Sequence, residues 1–123
     1  MAFGGQENKR AKPRRNLYFY LKVVDSKTQE FLGRVVDLTT NGMLLINESP
    51  LETNSSRDAT IILSGDLFDI TMSSIEVSFS VQWSRPDVNP RYYLNGLKFK
   101  DLPAKTTRTI EQVIRKFSFE EEN

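Results

Sequence analysis

Two polar clusters in this 123-residue chain combine residue types and spacing that suit ligand chemistry. The first is Arg10 and Arg14, four positions apart with Pro13 between them. Each guanidinium offers a planar fork of donors, so a tethered pair suits a phosphate or the O6/N7 edge of guanine. Lys9 and Arg15 flank the pair, either as further phosphate contacts or as solvated charges. The second cluster is Asp37-Leu38-Thr39-Thr40-Asn41-Gly42. A carboxylate accepts hydrogen bonds, a hydroxyl gives and accepts them, and a glycine lets backbone approach a ligand. Such a set can read a base edge that carries an N–H and an amino group. Taken singly, each cluster also has a plain structural reading, a solvated basic tail and an Asx/Thr turn.

Other chemistry is excluded by composition. The chain has no histidine and no cysteine, which removes disulfides, Cys/His zinc sites, thiol nucleophiles and histidine-based acid–base triads. Its carboxylates, lysines and tyrosines form no paired catalytic motif. No catalytic residue, metal ligand or cofactor is assigned, and the chain reads as a binding module rather than an enzyme. Charge is distributed unevenly. Lys9, Arg10, Lys12, Arg14 and Arg15 against Glu7 give residues 1–16 a net of +4, and Glu120, Glu121 and Glu122 give residues 118–123 a net of −3. Residues 17–117 carry twelve charges of each sign. Positive charge is thus concentrated in a short arm, while the neutral body makes general nucleic-acid binding the weaker account.

The elements that must position these residues follow from local pattern. Residues 1–8 are polar and aperiodic, and residues 9–16 form a basic arm that Pro13 keeps from being helical. Residues 17–100 read as strands. Leu17–Val24 is aromatic and β-branched, Phe31–Leu38, Met43–Ile46 and Ala59–Ser64 are further strands, and Phe68–Met72 is a weaker candidate. Ile75, Val77, Phe79, Val81 and Trp83 alternate with polar residues, the pattern of a half-buried strand. Arg91–Lys100 is the last strand, in which Gly96 marks a bulge or a close backbone approach. Asn41-Gly42 is a strong turn dipeptide, since both residues tolerate positive φ. Residues 103–117 alone look helical, with Ile110, Val113, Ile114 and Phe117 on one face. Residues 118–123 are left as an acidic tail. The expected fold is all-β: a six- to seven-stranded antiparallel β-barrel with one C-terminal α-helix, in a single domain over 9–117. Trp83 would stack on a base at the barrel rim if it faced outward, but its period-two position matches the inward face.

The two clusters together are more informative than either alone. R-x-x-x-R at Arg10–Arg14, then D-x-T-x-x-G at Asp37–Gly42 with 22 residues between Arg14 and Asp37, resembles the PilZ domain pattern. The run Gly33–Leu38 is similar to the strand entering that family's second motif, and Gly42–Leu45 to the strand leaving it. The resemblance implies a PilZ-like barrel of the split-barrel type that binds the bacterial second messenger cyclic di-GMP. It also implies roles: Arg10 and Arg14 on phosphate and guanine, Asp37 and Thr39 on guanine, and Gly42 permitting the turn. Asn41, Lys9, Arg15 and Trp83 are possible additions. Thr39 departs from the family's serine, keeping the hydroxyl but adding a methyl that stiffens χ1, so altered contact rather than lost binding is expected. Three functions are weighed. The first is a cyclic di-GMP receptor whose changed surface is read by an effector protein. The second is a nucleotide-independent PilZ-like interaction adaptor. The third is an OB-like barrel that binds single-stranded nucleic acid through the arm and tyrosines. With no membrane span and no export signal in the sequence, a cytoplasmic location in a bacterium is expected.

Overall fold

The computed structural model describes residues 21–63 and 74–122, the segment 117–122 as backbone. Six strands and one helix make up this part: β1 (Lys22–Asp25), β2 (Phe31–Leu38), β3 (Gly42–Asn47), β4 (Ser56–Ile62), β5 (Ser74–Pro86), β6 (Tyr93–Phe99) and α1 (Ala104–Glu122). The strands close into a barrel in the order β1-β2-β3-β6-β5-β4, all pairings antiparallel. Closure leaves no unpaired edge among these strands to template aggregation. The expected all-β barrel with a C-terminal helix is therefore the fold.

Alternation along each strand builds the core. Val23, Val35, Leu45, Ile61, Val77, Phe79, Val81 and Leu97 point inward and are almost fully buried. The helix closes one opening with Ile110 and Val113, exposed by 1% or less, and Leu102 and Ile114 pack beside them. Each fully buried aliphatic side chain contributes about 1.5–3 kcal/mol relative to exposure. That stripe is what docks the helix, since most helical stability in proteins comes from packing an amphipathic face.

Boundaries shift where local signals compete with pairing. β4 begins at Ser56, three residues before its apolar run, because Ser56, Arg57 and Asp58 pair with Ser80, Phe79 and Ser78 of β5. The helix continues to Glu122, beyond the expected end at Phe117 and into the acidic tail; neither glycine nor proline interrupts it, and glutamate is a good helix former. The strand expected at Leu17–Val24 is described only from Leu21 onward, and the Phe68–Met72 strand lies outside the described residues.

The β1–β2 connection is organised by one carboxylate. Asp25 Oδ1 accepts the backbone N–H groups of Lys27 (2.8 Å) and Thr28 (3.0 Å), and Oδ2 accepts from Arg57 Nη1 at 3.1 Å. The N–H of Thr28, then that of Lys27, holds the Asp25 carboxyl below its ordinary value of 3.8, and Arg57 adds to the effect. A depressed pKa stabilises the fold above the ordinary value, and the contribution is lost as pH falls through the lowered one. Asp25→Asn is therefore expected to lower the melting temperature at neutral pH. Melting curves of the two proteins should converge as the pH is taken below 3.8. A constant gap down to pH 2 would refute this assignment.

Candidate functional site

The sequence Asp37–Gly42 forms the β2–β3 connection and its leading edge. Thr39 Oγ1 accepts the N–H groups of Asn41 (3.1 Å) and Gly42 (3.2 Å), and the Thr39 N–H donates to the Gly42 carbonyl at 2.9 Å. The hydroxyl also donates to that carbonyl over 3.3 Å. Thr39 thus builds the turn with its own side chain, as an ST-turn does. Asn41 is exposed, and its carbonyl accepts the Phe99 N–H at 2.9 Å, tying the turn to the end of β6. Neither Asn41 nor Gly42 has positive φ; among the described residues that conformation occurs at Gln29, Asn54, Asp101 and Gly33. The expected reason for the glycine is therefore corrected. A Cβ at Gly42 would collide with the Leu97 carbonyl oxygen of β6, so the absent side chain lets β3 and β6 approach.

Asp37 is exposed, and among the described residues its carboxylate takes no hydrogen bond. The register shift between Val35 and Asp37 determines its direction. This bulge leaves Val36 as the extra residue, sets Asp37 opposite Leu44, and keeps Leu38 opposite Met43 in the core. Leu44 in turn pairs with Gly96, and Gly96 with Trp83. One cross-strand row on the outer face thus runs Asp37–Leu44–Gly96–Trp83 over four adjacent strands, a span of about 14 Å.

Trp83 is the second place where a bulge overrides the sequence pattern. The pairing slips between Val81, opposite Leu97, and Trp83, opposite Gly96. One extra residue, Gln82, moves Trp83 from the inward face that strict alternation assigns it to the outer face. Gly96 accommodates the ring: a Cβ there would overlap Cε2 and Nε1 of the indole. The close approach expected at Gly96 is present, and the inward placement of Trp83 is corrected. The Arg85 guanidinium lies 4.7 Å from the ring centroid, a cation–π contact on the half-buried indole.

Lys9, Arg10, Arg14 and Arg15 lie outside the described residues. The described chain nevertheless shows where it enters the barrel. Leu21 is fully buried and its carbonyl accepts the Val35 N–H at 3.1 Å, two residues from Asp37. Because β1 is antiparallel to β2, the chain traced back from Lys22 to Leu21 moves toward the Asp37 end. Among the described residues there is no cluster of three groups suited to a metal, and no helix is long and apolar enough to cross a membrane.

The family model described as PilZ domain matches residues 8–116. The chain belongs to the PilZ domain family. Among solved structures it is similar to MrkH of K. pneumonia in its apo state, with TM-score 0.66, 19% identity, and coverage of 92% of this chain and 54% of that one. The MrkH–c-di-GMP complex gives TM-score 0.68, 18% identity, and coverage of 92% and 54%. The Bacillus subtilis inhibitor of motility (MotI/DgrA) gives 0.63 and 12%, with coverage of 93% and 53%. At such identities the likeness concerns the fold, and this chain spans about half the length of those proteins. None of the curated proteins matches it in sequence.

Proposed function

We propose that this PilZ domain is a non-enzymatic receptor for cyclic di-GMP, in which the nucleotide is held between the basic arm and the outer face of the barrel. Arg10 and Arg14 grip phosphate and guanine, with Lys9 and Arg15 as flanking cations. Asp37 accepts the N–H and amino edge of a guanine. Thr39 and Gly42 hold the turn in the shape that presents Asp37, Asn41 borders it, and Trp83 offers a ring face for stacking. The ligand-bound surface is read by an effector protein, and the site of action is the cytoplasm. One of the similar structures is itself a c-di-GMP complex, in accord with this reading.

The observation that carries the proposal is the open Asp37 carboxylate in one row with Gly96 and Trp83, at the end of β2 toward which the chain enters at Leu21. Arg14 precedes Leu21 by seven residues, a reach of at most about 25 Å when extended. That chain length exceeds the roughly 14 Å span of the row. Titration calorimetry of the purified chain with cyclic di-GMP tests the reading, with micromolar or tighter binding expected. A folded protein that gives no heat at saturating nucleotide would favour the nucleotide-independent adaptor. Steeply salt-dependent binding to oligonucleotides without preference for the cyclic dinucleotide would favour the nucleic-acid barrel.

A further inference from the structure

The row beside the proposed site carries charges that no motif marks. One same-face row nearer the β2 start, past the Val36 bulge, Lys22 pairs with Arg34, Arg34 with Ile46, Ile46 with Leu94, and Leu94 with Arg85. On the other side of the Asp37 row, Lys98 pairs with both Gly42 and Ser80. All lie on the outer face, since Leu94, Gly96 and Lys98 alternate with the buried Asn95, Leu97 and Phe99. Rows two residues apart are separated by about 7 Å. The Asp37–Leu44–Gly96–Trp83 floor is thus bracketed by Arg34 and Arg85 on one side and Lys98 on the other, with Asp37 as the carboxylate of these rows. The wall formed by β4 and β5 instead mixes both signs, with Arg57 and Lys100 beside Asp58. There Glu76 accepts from Ser26 and Thr60, and Asp58 from Ser78, over 2.7–3.0 Å. Four cations, Lys22, Arg34, Arg85 and Lys98, thus stand in the rows beside Asp37 on the outer face.

We infer that Arg85 and Arg34 form a second, barrel-borne anion clamp for the same ligand. Arg85 takes a phosphate of the cyclic dinucleotide, and Arg34 closes the row from β2. The inference rests on the cyclic di-GMP reading and extends it to residues outside the two motifs. A cyclic dinucleotide carries two phosphates on opposite sides of its ring, so it presents anionic groups in two directions. Arg85 is exposed and held over the Trp83 ring, so its guanidinium is placed in advance and loses little freedom on binding.

The test is calorimetry of the full chain with cyclic di-GMP at several salt concentrations, for the parent, Arg85→Gln and Arg34→Gln, with thermal melts confirming that each variant folds. Trp83 is the single tryptophan, so its fluorescence gives an independent readout at the clamp. Arg85→Gln is expected to weaken binding roughly tenfold or more and to flatten the salt dependence. Combined with Arg14→Ala its effect should be additive in free energy, as for contacts on separate phosphates. Parent-like affinity and salt dependence in both single variants, with the parent binding normally, would overturn the clamp alone. Absence of binding by the parent would overturn the ligand assignment itself, and the clamp with it. Should Arg34→Gln fail to fold, Arg85→Gln decides by itself.

Discussion

Arg14→Ala is expected to weaken cyclic di-GMP binding by about 1.5–3 kcal/mol, the scale of a hydrogen bond to a charged group, and so by at least about tenfold. Arg14→Lys should lie between parent and alanine variant, since it keeps the charge and loses the planar fork. Asp37→Ala is expected to produce a loss of the same order, because the carboxylate is open and its removal leaves a guanine N–H and amino group without an acceptor. In both cases the melting temperature without ligand should stay within about a degree or two of the parent, as is usual for substitutions away from core features. The expected signature is an affinity change without a stability change, read by paired calorimetry and thermal melts. An Arg14→Ala protein that binds as tightly as the parent would remove the arm from the site. An Asp37→Ala protein that binds normally would remove the β2–β3 turn.

The second large effect concerns stability and comes from a residue that no motif singles out. Asn95 is fully buried on β6 and uses both ends of its amide. Its Oδ1 accepts from the Leu51 N–H (3.0 Å) and the Ser84 hydroxyl (2.8 Å), and its Nδ2 donates to the Leu45 carbonyl (3.2 Å) and to Asn47 Oδ1 (3.1 Å). Asn47 completes the network by donating to the Leu32 carbonyl at 2.8 Å. The amide therefore ties β6, β3, β5 and the loop that carries the buried Leu51 into one polar knot inside an apolar barrel. Asn95→Ala would orphan the Leu51 N–H and open a cavity, at a cost of about 3 kcal/mol. For a domain of this size that corresponds to a fall of about 10 °C in melting temperature. Ser84→Ala removes one contact of the knot and should cost about 1 kcal/mol. Equal, small effects from both variants would show that the knot is not cooperative.

The pH effect at Asp25 and the affinity effects at Arg14 and Arg85 separate cleanly by readout. The first appears in melting temperature and vanishes in acid. The others appear in binding and respond to salt. Asn95 links fold and site more closely, because it lies on β6 directly beside Gly96, which supports the Trp83 ring. Partial loosening around Asn95 should therefore broaden or shift Trp83 fluorescence before the barrel melts.

Much of this molecule is legible from residue order. β2 begins and ends where its apolar run does, and the strong period-two pattern from Ile75 to Val81 marks the wall of the core. The i, i+3, i+4 stripe identifies α1. The β2–β3 turn is a local feature, fixed by side chains within a few positions of one another, and so it can be read without coordinates. What required the tertiary structure was everything decided by register. Trp83 continues the inward alternation in sequence, yet one bulged residue turns it outward onto Gly96. Asp37 reaches the outer face through a second bulge, at Val36. Gly42 looks like a turn glycine but serves the close approach of β3 to β6, and Asn95 looks like an ordinary polar strand residue but knots four segments together. Arg34 and Arg85, 51 positions apart in the chain, are brought into a single row by pairings across β3 and β6. Side-chain alternation along a strand depends on near neighbours, whereas which residues stand side by side depends on how strands slip past one another, and only the packed barrel selects that offset.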